Sequence, residues 1–180
     1  ANYLIGDSQI NQCHISHSNL GSIIQGTGLV TNLFNNHFGR QLIKSTSSNF
    51  PTQNINYYKN SWDTILYSEN LEKVYSVSSI NADSIKLYVL CLNNSKSDTI
   101  TSSIRINSLN YSYSIDSVLI LQASSPIAIN SAGNPNEISI SSLSIPNINN
   151  GKISDHTFPP LSATVFEINL EPISASSTLN

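Results

Sequence analysis

The side chains of this chain that could carry chemistry fall into three groups. Asp63, Glu69 and Glu72 make the densest acidic patch, beside Trp62 and Tyr67. Aromatic faces stack on sugar rings and carboxylates accept hydroxyl hydrogen bonds. With Tyr57 and Tyr58 this segment therefore holds the ingredients of a glycan contact, although a loop that packs domains together is the plainer reading. His14 and His17, at i and i+3, would share a helical face. A metal site needs three or four ligands and only Cys13 is near, so no metal and no cofactor is expected. The many serines with His37 and His156 lack the Gly-x-Ser-x-Gly elbow of a hydrolase, and Gly26-Thr27-Gly28 lacks the lysine and spacing of a phosphate loop. No catalytic residue is expected. Two sequons, at Asn93 and Asn110, fall at turns and mark candidate N-glycosylation sites.

The elements that would position these residues change character near residue 40. Before it, Leu29, Val30, Leu33, Phe34 and Phe38 form an apolar helical stripe, with Thr27 as a candidate cap and Gly39 at the C′ position. Leu20, Ile23 and Ile24 make a weaker helical patch.

After residue 40 the period becomes two. Strands are expected at 40–45, 74–78, 86–92, 99–106, 115–122 and 164–170, and 49–61 reads as a long loop around two tyrosines. Residues 86–92 are apolar on both faces, as in a strand covered from both sides. In 99–106, Ile100, Ile104 and Ile106 face inward. A phase slip between Ile140 and Leu143 suggests a β-bulge, and Asn149-Asn150-Gly151 signals a turn. The expected fold is mainly β, an antiparallel β-sandwich preceded by a short helical segment. Its parts are a helical segment at 1–40, the sandwich at 41–172 and a tail at 173–180.

Composition narrows the function. Of 180 residues 39% are hydrophobic and only 11% charged, where about 25% is usual. Serine and asparagine carry the polarity instead. Eight Lys and Arg against a net charge of −3 give no basic stripe for nucleic acid. No apolar run approaches the roughly eighteen residues of a membrane span. The neutral, hydrogen-bonding surface suits a secreted or cell-surface protein. The opening Ala1-Asn2-Tyr3 is not a signal peptide and suits a processed chain. Cys13 and Cys91 make no disulfide framework. Cys91, inside an apolar run, reads as a small buried hydrophobe, and a bridge between the two stays open.

The order of elements resembles a known family. Gly28 to Gly39 (GLVTNLFNNHFG) is similar to the last barrel helix of family 51 α-L-arabinofuranosidases, where a His-aromatic-Gly ending leads into a β-sandwich. Lys86 to Asn94 (KLYVLCLNN) resembles the family's strand ending in Val-Asn. Ile129 to Glu137 resembles its Asn-and-Pro loop, and Phe158 to Phe166 (FPPLSATVF) its closing Pro-Pro-x-Ser turn and last strand. The likeness covers about residues 15 to 170, in matching order. It implies the C-terminal region of such an enzyme, downstream of the two carboxylates, about 5–5.5 Å apart, that retaining glycosidases need. Asn136-Glu137 is superficially similar to the pair that carries the acid/base, yet it falls within the matched sandwich loop and reads as a solvated carboxylate.

Three functions are compatible with these features. A non-catalytic glycosidase portion would stabilise the catalytic barrel or border its glycan cleft. It predicts that the helix before residue 40 exposes an apolar face where the barrel would cover it. A secreted structural subunit, of a filament or surface layer, would assemble with identical subunits by adding Ala1–Ile10 or Ile173–Asn180 as a strand. A carbohydrate-binding module would use Trp62, Tyr57, Tyr58 and Tyr67 on glycans.

Overall fold

A computed structural model of the chain describes residues 3–5, 15–18, 21–57, 59, 64–108 and 110–173. Three short strands come first: β1 (Tyr3–Ile5), β2 (Ile15–Ser18) and β3 (Gly21–Ile24). β1 runs parallel to β2, and β2 antiparallel to β3. The helical patch expected at Leu20, Ile23 and Ile24 is thus a strand where it is described. Adjacent β-branched isoleucines favour an extended chain, and Gly21 and Gly26 leave no room for a helix between them.

One helix follows, α1 (Gly26–Asn36). Its N-cap is Gln25, not Thr27, and it closes at His37 rather than at a glycine. Gly39 serves a different purpose. A Cβ there would lie 2.3 Å from the Ile80 carbonyl oxygen, so only glycine lets the two backbones pass.

The sandwich then runs from Gln41 to Pro172. Its strands are β4 (Gln41–Ile43), β5 (Thr52–Tyr57), β6 (Tyr67–Glu72), β7 (Val74–Ile80), β8 (Lys86–Asn93), β9 (Ile100–Arg105), β10 (Tyr111–Ala123), β11 (Ile138–Ser142), β12 (Ile148–Asn149), β13 (Lys152–Phe158) and β14 (Ser162–Pro172). Six of them form one sheet in the order β11-β10-β14-β8-β7-β4, three form a second, β12-β13-β9, and β5 pairs with β6 alone. The expected loop at 49–61 is therefore part strand. Thr52–Tyr57 is polar at every position but Ile55 and Tyr57, too little alternation to mark a strand.

The core lies between the large and small sheets. Leu87, Val89, Val118, Phe166 and Ile168 meet Ile153 and Phe158 across it. β8 and β14 are covered on both faces, as the doubly apolar run 86–92 requires. On the outer face Leu90, Leu121 and Val165 pack against Leu33 of α1. Burying a leucine there is worth about 2 kcal/mol, enough to hold a short helix on the sheet.

The β10–β11 register is unbroken, so no bulge explains the phase slip after Ile140. Ile138 and Ile140 face α1, while Leu143 packs on the inner core. An odd spacing simply puts Leu143 on the other side. The bulges that do occur lie at Ile115/Ser117 and Ile153/His156. Asn150 and Gly151, at φ 49° and 71°, make the tight turn between β12 and β13 that Asn-Gly predicts.

Candidate functional site

Two surfaces stand apart from the core. The first is the β5–β6 arm, which pairs with no other described strand. Its register sets Tyr57 opposite Tyr67 and Ile55 opposite Glu69. Residues directly opposite in an antiparallel pair share a face, and the two tyrosine rings lie 5.9 Å apart with 28° between their planes. The Tyr57 hydroxyl donates to Glu69 Oε1 at 2.6 Å. That bond to a carboxylate raises the phenol above its ordinary pKa. Lys59 Nζ sits 4.1 Å from the centre of the Tyr67 ring, a cation–π contact that the sequence alone did not suggest. Trp62, Tyr58 and Asp63 lie outside the described residues. Glu72 is on the opposite face of the ribbon from Glu69, so these two acids do not form one patch.

The second surface is the flank of α1 beside Leu33. Leu33 is buried at 2%, yet Val30 and Phe34, one residue further round, are 42% and 45% exposed. The apolar stripe of the helix is therefore wider than its own sandwich covers. Leu42, Tyr75 and Leu92 are exposed on the same outer face of the large sheet.

The remaining candidates take structural places. His37 is bonded to Glu167, and His156 lies edge-on to Phe158 and Phe166. His17 is on a strand rather than a helix, and His14 and Cys13 lie outside the described residues. Cys91 is unbridged and buried, and burial pushes its thiol up to about 12. Glu137 accepts from Ser124 and Asn134 and so holds its own loop together. Among the described residues no group of three metal-ligating side chains converges, and no helix is long and apolar enough to cross a membrane.

Asn93, one of the two candidate glycosylation sites, is buried. It is 1% exposed, and its Nδ2 lies 2.8–3.0 Å from the carbonyls of Asp98, Phe158 and Pro159. A glycan on that nitrogen has no place in the folded chain. Asn110, by contrast, is exposed. Asn130 is a second latch missed in the sequence: Nδ2 donates to the Ile24 and Ile138 carbonyls, and Oδ1 accepts from the Ile138 N–H. At Asn93 the available signal was an amide ending an apolar strand, because a buried amide must be satisfied; Asn130 lies in the loop between β10 and β11 and gives no such signal.

No protein-family model matches the chain, and no curated protein matches it in sequence. Solved structures do. The family 51 α-L-arabinofuranosidase of Thermotoga petrophila RKU-1 is 28% identical with a TM-score of 0.69, over 85% of this chain and 31% of that one. A further arabinofuranosidase gives 28% and 0.71, over 87% and 31%. The α-L-arabinofuranosidase of Thermotoga maritima, solved with arabinose, gives 26% and 0.70, over 88% and 31%. The chain thus spans about a third of the length of these enzymes, and its likeness is to the C-terminal region of a family 51 α-L-arabinofuranosidase.

Proposed function

We propose that this chain is the non-catalytic C-terminal portion of a secreted arabinofuranosidase-like enzyme, which braces the catalytic barrel through α1 and the outer face of its large sheet. One observation carries the reading: Val30 and Phe34 are exposed on the flank of the same apolar stripe that buries Leu33 against the sheet. A contiguous exposed apolar strip, here Val30 and Phe34, marks a surface that another part of a protein covers. Secretion rests on the uncharged Ser/Asn surface alone.

The test is the intact mass of the natively purified protein, together with labelling of the Phe34 face by hydroxyl radicals. A polypeptide about three times as long as this chain, as a coverage of 31% implies, with Phe34 protected from the radical, is the expected result. A native polypeptide no longer than this chain, or a Phe34 as reactive as Ile127, which is 85% exposed, would overturn it.

The stacked Tyr57–Tyr67 pair favours a second role at the arm, contact with the glycan chain on which such an enzyme works. Loss of arabinan or arabinoxylan retention on affinity gels in Tyr67→Ala is its test. Unchanged retention, or none in the parent protein, sinks it.

A further inference from the structure

A pocket of about 390 Å³ opens between α1, β3 and β11, within the range of about 300–1,000 Å³ common for small-molecule sites. Its floor is aliphatic, since Leu29, Ile138 and Ile140 pack there on the outer core. Its polar side chains include Asn32, His37 and Asn136. Among the described residues no lysine, arginine, aspartate or glutamate lines it. Asn130 holds two of the walls together, donating to the Ile24 carbonyl at the end of β3 and accepting from the Ile138 N–H at the start of β11. The pocket is thus built before any ligand arrives.

His37 supplies its directed group. Nδ1 lies 2.7 Å from Glu167 Oε1. A carboxylate only accepts, so Nδ1 carries the proton and donates, and in the neutral ring Nε2 is left as an acceptor. Nε2 has no hydrogen-bond partner among the described residues, and the side chain is 30% exposed. The ring lines the pocket, and with Nδ1 engaged Nε2 is the polar atom it has to offer there. Asn32 Oδ1 already accepts from Asn36, which leaves its Nδ2 to donate. Asn136 is exposed and brings both a donor and an acceptor.

We propose that this pocket binds a free neutral sugar of pentose size, one hydroxyl donating to His37 Nε2 and others meeting the amides of Asn32 and Asn136. The lack of fixed charge disfavours phosphate, carboxylate and ammonium ligands, which need a counter-charge when they leave water. Amides donate and accept as hydroxyls do, and the aliphatic floor takes the C–H face of a sugar ring. Glu167 acts here as a positioning residue, because it sets the tautomer and the tilt of the His37 ring. The site does not depend on the chain belonging to an enzyme. Along a helix Asn32 and Phe34 stand about 160° apart, so a domain that covers Val30 and Phe34 leaves Asn32 and the pocket to solvent.

The test is modification of the natively purified protein by diethyl pyrocarbonate, which acylates an unprotonated imidazole nitrogen. The rate is read at His37 by peptide mapping, with N-acetylhistidine in the same tube as the standard. A reading at His37 is blind to sugar bound anywhere else on the protein. Expected is a His37 that reacts, and whose relative rate falls about tenfold or more as L-arabinose or D-xylose is raised towards saturation. Sodium phosphate should give no protection. Asn32→Leu and Asn136→Leu, both at exposed positions, should keep the thermal midpoint and lose the protection. A His37 rate indifferent to both pentoses, protection by phosphate as strong as by sugar, or protection unchanged in both variants overturns the proposal. So does a His37 that fails to react in the folded protein, since the pocket is then closed. None of these results bears on the length of the native polypeptide, so the site and the enzyme reading fail separately.

Discussion

His37 Nδ1 lies 2.7 Å from Glu167 Oε1, and this contact fastens the end of α1 to the middle of the central strand β14. The Glu167 side chain is only 11% exposed, and its second oxygen is 3.8 Å from Lys86 Nζ, which also bonds Asp116 at 2.7 Å. Removing the carboxylate leaves the imidazole without its partner and leaves Lys86 to Asp116 alone. Such losses cost more than the pair itself contributes. We predict that Glu167→Ala lowers stability by about 2–3 kcal/mol and His37→Ala by about 1 kcal/mol in urea denaturation. A Glu167→Ala midpoint equal to that of the parent would show that Leu33 alone holds the helix.

Gly39 gives a sharper test of backbone packing. The alanine methyl in Gly39→Ala would meet the Ile80 backbone, with the carbonyl oxygen at 2.3 Å and the nitrogen at 2.8 Å. Neither atom is the end of a flexible side chain, so β7 must shift as a whole. The Gly39 N–H, which donates to Ser79 Oγ at 2.8 Å, would be pulled away with it. The expected cost is about 3 kcal/mol or more, read from thermal unfolding. Gly133→Ala is the control, because nothing lies within 4 Å of its added carbon, and it should unfold with the parent.

What was legible in the sequence follows from how each residue signals. Lys86–Leu92 announced a strand buried on both faces because its apolar side chains are consecutive, and β8 is central. Thr164, Phe166, Ile168 and Leu170 announced the inner face of β14 by strict alternation. Thr52–Tyr57 gave no such signal, since only Ile55 and Tyr57 break a polar run. Ile23 and Ile24 were consistent with either period, and their pairing with β2 decided the matter. The resembling motifs were legible as motifs but not as physics. Asn93, next to the end of one of them, closes on the Phe158-Pro159 carbonyls that open another. Asn130 joins the third to the entrance of α1 through the Ile24 carbonyl. They are latches between distant segments, and long-range pairing is what one sequence does not print.

His156 makes stability depend on acid. It is packed against Phe158 and Phe166, and its Nε2 is buried with no hydrogen-bond partner among the described residues. Burial, which disfavours the charged ring, lowers its pKa below the ordinary 6.5. The folded state therefore takes up a proton at lower pH than the unfolded state does. Its contribution to stability is complete above pH 6.5 and is lost as the pH falls from there through the depressed folded value. Stability should decline through this window in the parent and far less in His156→Phe. Equal slopes for the two proteins in denaturation at stepped pH would place the acid sensitivity elsewhere.

The two sequons separate by burial, and this gives the last prediction. Asn93 Nδ2 has two hydrogens shared among three carbonyls, while Oδ1 accepts from the Ser95 N–H at 3.0 Å. A sugar on that nitrogen would displace a donated hydrogen bond and occupy the space of the Pro159 turn. Asn110 lies exposed beside the start of β10, and its backbone carbonyl accepts from the Ile173 N–H at 2.9 Å. In a host that attaches N-glycans, soluble folded protein should carry sugar at Asn110 alone. Asn110→Gln should then remove the added mass and leave the thermal midpoint unchanged. Asn93→Ala should keep the mass and lose about 3 kcal/mol, since it strips several buried carbonyls of one donor. Peptide mapping of folded protein with a glycan on Asn93 would break the link between that amide and the Pro159 turn.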